Sequence, residues 1–197
     1  MTILHPIQCR CGAVRGGIHG EGIHNRVVCY CADCRAFARY LGRAADVLDA
    51  QGGTEVVAIT QSRLGFTEGA DRLATVRLSE KGMIRWYASC CNTPIGNTTA
   101  DPKVGFIGVI HACLDRSRMD ADFGSKVAMV NTATALGEPK PVQRGLPRAI
   151  WLFIRIVLGA RLGGSYRNSP LFDAAGSPRA VPTILSAQEL AKLKVDA

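Results

Sequence analysis

Cys29-Tyr30-Cys31-Ala32-Asp33-Cys34 is the stretch on which the reading of this chain turns. In extended backbone, residues two apart point to one side, so Cys29 and Cys31 face together. A turn over Ala32-Asp33 then folds Cys34 onto the same point. Three thiolates anchor a borderline-soft ion such as zinc and leave one coordination position, the usual form of a catalytic rather than a structural centre. That position has several candidate occupants: water, an outside thiol, or a protein ligand from Asp33, Cys113, His111 or one of the early histidines. A triad saturated by protein would be purely structural.

Working outward, two further clusters flank this one: Cys9-Arg10-Cys11-Gly12 and Cys90-Cys91. Two ligands alone hold zinc poorly, so Cys9 and Cys11 need a distant pair. Cys90 and Cys91 are the only other clustered thiols, and a four-thiolate structural site is expected. Neighbours on a strand point to opposite faces, so both can reach one ion only through a turn or bulge, which Asn92-Thr93-Pro94 can provide. Cys113 stands alone and reads as a ligand or as a small buried hydrophobe.

With 197 residues, 47% apolar and 20% charged, the composition describes a folded chain of one domain or of one domain with appendages. Met1-Thr2-Ile3-Leu4-His5-Pro6 has no basic leader and apolar run, so a reducing cytoplasm is expected, where eight cysteines serve metal rather than disulfides. The formal charge of +8 invites a nucleic-acid reading. Seven thiolates and two zinc ions would bring it to about +5. With no long Lys/Arg block, the sequence argues against nucleic acid and for general attraction of small anions.

Residues 7–18 read as strand, turn, strand, with Gly16-Gly17 breaking the second. Val27–Cys29, Thr54–Ile59, Leu73–Leu78, Met83–Tyr87 and Val104–Ile110 read as strands from their β-branched or alternating composition, and Ala36–Leu41 as a short helix. After a proline-marked stretch, residues 148–161 predict a largely apolar helix, split by Arg155 and too short to cross a bilayer. It would pack on the β domain, dock a partner or second copy, or lie at a membrane surface. Ser186 and Glu189 offer a capping box for a last short helix.

The three-part pattern, Cys9-Arg10-Cys11-Gly12, Cys29-Tyr30-Cys31-Ala32-Asp33-Cys34-Arg35 and a late cysteine before Thr93-Pro94-Ile95, resembles the glutathione-dependent formaldehyde-activating enzyme family, with its centromere-protein-V-like members. The resemblance spans about residues 7–112. It implies a mainly β, Mss4-like β-tent zinc domain over residues 1–135. Residues 136–197 would then be a C-terminal extension with one or two helices. It further implies two zinc ions: a structural one on the CxC and late pair, and a catalytic one on Cys29, Cys31 and Cys34. The associated activity is addition of glutathione to formaldehyde, a carbon-sulfur lyase reaction. This chain departs where the family carries CxxC and glycine: it has Ala88, adjacent Cys90 and Cys91, and Asn92. It reads as a divergent member whose thiol need not be glutathione.

As an enzyme, the chain would add a small thiol to formaldehyde or another small aldehyde, with Arg35 and Arg85 as candidate contacts to the thiol's carboxylates. Asn97, Thr98 and Thr99 could add polar contacts from a loop after Ile95, and Trp86 and Tyr87 would wall a pocket or join the core. The competing reading is a non-catalytic, zinc-stabilised binding or scaffold protein using the helix near residues 148–161. A redox or metal-handling role is a third.

Overall fold

The computed structural model describes residues 2–194. Its first sheet is antiparallel and three-stranded: β1 (Ile3–Gln8), β2 (Arg15–His19) and β5 (Leu64–Glu68), in the order β1-β2-β5. The second has eight strands. These are β3 (Asn25–Cys29), β4 (Thr54–Thr60), β6 (Leu73–Arg77), β7 (Ile84–Ala88), β8 (Thr93–Thr98), β9 (Phe106–Ile110), β10 (Val127–Val130) and β11 (Thr183–Ile184). They lie in the order β10-β3-β4-β9-β8-β7-β6-β11. The edge strands β10 and β11 pair parallel with β3 and β6; the inner pairs are antiparallel.

Alternation along the central strands sorts side chains between two layers. Val57, Ile59, Ile84, Trp86, Ile107 and Val109 face the small sheet and meet Ile7, Val14, Ile18 and Leu64 in the main core. The opposite face is covered by helices. Helix α1 (Ala32–Tyr40) and the short α2 (Ala44–Val47) set Phe37, Leu41 and Val47 against Val76 and Ile110. Helix α4 (Leu146–Leu162) sets Ile156 against Ala58 and Phe106. The remaining helices are α3 (Met119–Phe123) and α5 (Ala187–Lys194). Ser186 and Glu189 form the expected box at α5: Ser186 Oγ accepts the Glu189 amide at 3.2 Å, and Glu189 Oε2 accepts the Ser186 amide at 2.8 Å.

The expected mainly β, Mss4-like β-tent with a C-terminal extension containing one or two helices is not the fold. The chain is mixed α/β, with near-equal helix and strand, two open sheets, and helices from Ala32 onward. Helices of four or five residues, such as α2 and α3, carry too little periodicity to read. The C-terminal chain also returns to the body: Leu171 and Phe172 join the main core and β11 extends the large sheet. Two smaller expectations change as well. Gly16 and Gly17 lie inside β2, where the neighbouring strands leave no room for side chains: a Cβ on Gly16 would sit 2.0 Å from the Gly65 carbonyl oxygen of β5. Residues 93–98, read as turn and polar loop, form a wholly buried strand in which Thr98 Oγ1 accepts the Trp86 indole N–H at 3.0 Å.

Candidate metal centres

The first centre lies where two turns meet. Cys9 follows β1, and the chain reverses through Gly12 at φ +78°. The Cys9 amide donates to Val14 O at 2.9 Å, while the Val14 amide donates to Cys9 Sγ at 3.2 Å. The opposing turn joins β7 to β8 and carries both Cys90 and Cys91. It closes with Asn92 at φ +54°, the left-handed region that asparagine tolerates best after glycine. Asn92 thus meets the demand for which the resemblance expects glycine, and the turn lets adjacent cysteines aim at one point.

All four sulfurs lie within 4.8 Å of one another. The individual separations are Cys9–Cys11 3.6 Å, Cys9–Cys90 3.8 Å, Cys11–Cys90 3.3 Å and Cys90–Cys91 3.9 Å. Thiolates about 2.3 Å from one zinc in a tetrahedron lie about 3.8 Å apart, whereas a disulfide brings sulfurs to about 2.05 Å. The spacing therefore suits four ligands around one metal ion and is not that of a disulfide. Thr93 joins the turns: its Oγ1 accepts the Arg10 amide at 3.0 Å and lies 3.1 Å from Cys91 Sγ. Burial raises Cys91, but the Thr93 hydroxyl and the Cys11 amide outweigh it and bring the thiol down to about 6. Cys90 is pushed up to about 12 by desolvation and by sharing with Cys11 and Cys9. Cys90 thus resists ionisation beside the other sulfurs unless a cation offsets the charge.

The second centre straddles the junction of β3 and α1. Cys29 ends β3, Cys31 precedes the first helical residue, and Cys34 sits in the first turn of α1. Their sulfurs lie within 4.8 Å of one another. A helix N-terminus favours thiolate through its unpaired amides. Hydrogen bonds from Cys31 and Cys34 hold Cys29 well below the usual thiol range. The sharing with Cys29 in turn raises Cys31 and Cys34.

A residue that sequence spacing does not reveal completes this environment. Parallel pairing sets Val130 opposite Cys29, so Asn131, next in the chain, donates from Nδ2 to Cys29 Sγ at 3.2 Å. Thr134 Oγ1 then donates to Tyr30 O at 3.0 Å, tying the loop after β10 to the triad.

The other anticipated residues are placed as follows. Arg35 is 3% exposed, and its Nη1 donates to Tyr30 O at 2.6 Å and Thr134 O at 2.7 Å, clasping both loops beneath the triad. Arg85 is also buried, donating to Asn97 Oδ1 at 3.1 Å with its guanidinium 5.4 Å from the Phe37 ring centroid. Of the candidate fourth ligands, Asp33 pairs with Lys194 at 2.7 Å, and His111 lies buried with Nδ1 3.1 Å from Glu55 O. Cys113 is a core thiol raised to about 12 by burial, with Sγ on Ile110 O. Among the described residues, no fourth His, Cys, Asp or Glu joins Cys29, Cys31 and Cys34.

Fold and sites together define a mixed α/β protein with two separate cysteine clusters, each able to coordinate a metal ion, consistent with two zinc sites. The chain belongs to the family described as a family of unknown function (DUF6151), whose model matches residues 1–181. No curated protein matches it. The cysteine geometry supports metal binding; it does not carry the lyase reaction, glutathione or formaldehyde expected from the resemblance, and the fold departs from the β-tent that went with them. No helix among the described residues is long and apolar enough to cross a membrane.

Proposed function

We propose that the protein handles thiols at an open thiolate-metal centre on Cys29, Cys31 and Cys34, with Cys9, Cys11, Cys90 and Cys91 as a separate structural centre. The observation that carries this is the difference in ligand number: four clustered sulfurs at one centre and three at the other. Zinc held by three thiolates supplies one further coordination position and lowers the pKa of a thiol that occupies it.

The chain's own residues serve that task. The Asn131 amide takes up negative charge on Cys29, which eases the crowding of three thiolates and an incoming fourth. Arg35 and Thr134 hold the loops in register. A thiol delivered as thiolate adds to the carbonyl carbon of a small aldehyde: one carbon–sulfur bond forms, and the thiol proton ends on the carbonyl oxygen. No oxidant or reductant is consumed. Glutathione with formaldehyde is the first pair to assay, because the cysteine pattern resembles that of formaldehyde-activating enzymes.

Zinc content and thiol binding test the reading together. Wild type is expected to hold two zinc ions and Cys31→Ser one, with the fold retained by circular dichroism. Cobalt-substituted wild type is expected to change its absorption spectrum on adding thiol, and Cys31→Ser is not. A spectrum unmoved by any thiol, or an addition rate equal to the spontaneous one, refutes the catalytic reading. The scaffold alternative would then stand, favoured by the exposed apolar face of α4.

A further inference from the structure

Helix α4 is attached along one side only. Ala149, Leu152, Ile156 and Ala160 are buried against the large sheet. Asn25 Nδ2 donates to Ala149 O at 3.0 Å, and Phe153 meets Phe106 edge-on at 5.0 Å. Near its C-terminal end the contact is so close that a Cβ on Gly105 would lie 2.6 Å from Ala160 Cβ. These contacts set which side of the helix faces out.

The outward side is apolar. Trp151 is 55% exposed, Ile154 47%, Leu158 50% and Leu162 84%, at the three- and four-residue spacing that lines up on one helix face. Ile150 widens the stripe at 50%. Arg148 and Arg155 border it on one flank and Arg161 on the other, with the Arg155 guanidinium 4.6 Å from the Trp151 ring centroid. None of the three has a carboxylate partner among the described residues.

Charge identifies the occupant. Between Glu138 and Asp173 the chain has no acidic residue and six basic ones: Lys140, Arg144, Arg148, Arg155, Arg161 and Arg167. Two copies meeting through this stripe would bring like charges together with no carboxylate on α4 to offset them. An anionic lipid surface answers both features at once. Apolar side chains and tryptophan enter the headgroup–acyl boundary while the flanking arginines meet lipid phosphates. At 17 residues the helix is about 26 Å long and held flat on the sheet, which suits lying in the interface.

We propose that α4 is a membrane-surface helix that docks the whole protein on a bilayer containing anionic lipid. The inference is independent of the metal chemistry and holds with or without catalysis at the cysteine triad.

Full-length protein is mixed with phosphatidylcholine vesicles, with and without phosphatidylglycerol, and sedimented. Binding is expected to the anionic vesicles and to weaken as salt rises. Of the two tryptophans, Trp86 is wholly buried, so a blue shift on docking reports Trp151. Trp151→Phe is expected to lose that shift while still sedimenting. Ile154→Glu with Leu158→Glu should abolish sedimentation, and Arg148→Gln with Arg155→Gln and Arg161→Gln should lower partitioning on the order of a hundredfold. These positions are exposed, and circular dichroism with zinc content checks that each variant is folded. The proposal is overturned by absence of binding to anionic vesicles, by binding that folded variants leave unchanged, or by a dimer that Leu158→Glu dissociates without any vesicle binding.

Discussion

Replacing Asn131 separates two roles that this residue combines. It holds φ +57°, and its amide donates to Cys29 Sγ at 3.2 Å. Glycine keeps the backbone conformation and removes only the amide; alanine removes the amide and adds left-handed strain of about 1–2 kcal/mol. A hydrogen bond to a charged acceptor is worth about 1.5–3 kcal/mol, and this one is exposed, so the lower end applies. About 1.4 kcal/mol is tenfold in affinity, which also falls within the 10–100-fold typical of partners behind metal ligands. Competition with a chromophoric chelator should therefore show two zinc steps in wild type. Asn131→Gly should weaken one step about tenfold and leave the other unchanged. Asn131→Asp should weaken it further, by placing a carboxylate against a thiolate. If Asn131→Gly binds both ions as wild type does, while Asn131→Ala loses only thermal stability, the side chain serves the turn alone and its assignment to the centre is wrong.

Two other outcomes follow from buried groups. Arg35→Met removes both Nη1 hydrogen bonds, to Tyr30 O and Thr134 O, so unfolding free energy should drop by about 2–3 kcal/mol in urea melts, with weaker zinc at the triad; unchanged stability would contradict the clasp. Burial lowers both His5 and His111 from the ordinary value of 6.5. With folded values depressed, the stability from holding these rings neutral is complete above about pH 6.5 and is lost as pH falls through the folded values. Melting temperature should fall on acidification, and His111→Gln, which can still donate to Glu55 O, should flatten that slope; an unchanged slope would remove His111 from the account.

The strands with β-branched runs, such as Thr54–Ile59, were legible because composition and alternation reflect burial on a pleated face. Helix α4 was legible for its long apolar run. β8 was not: Thr93-Pro94-Ile95-Gly96-Asn97-Thr98 looks like loop, yet every residue is buried, with Asn97 and Thr98 met by Arg85 and Trp86 of the neighbouring β7 and Thr93 by the Arg10 amide. β10 and β11 were hidden for a related reason: both are short, parallel edge strands whose only warrant is a distant partner. The β-tent expectation failed because cysteine spacing describes turns, and similar turns can be mounted on different sheets.

Local chain chemistry alone was enough to mark the cysteine triad, the CxC turn and the helix near residues 148–161, since each depends on residues a few positions apart. Tertiary structure decided the rest. It brought Cys90 and Cys91 to Cys9 and Cys11, set Asn131 against Cys29 from 102 residues away, buried Arg35 and Arg85, and turned one side of α4 outward. The physical reason is that spacing along a chain constrains only neighbours. Which distant groups share a site is settled by strand pairing and by the packing of layers on one core.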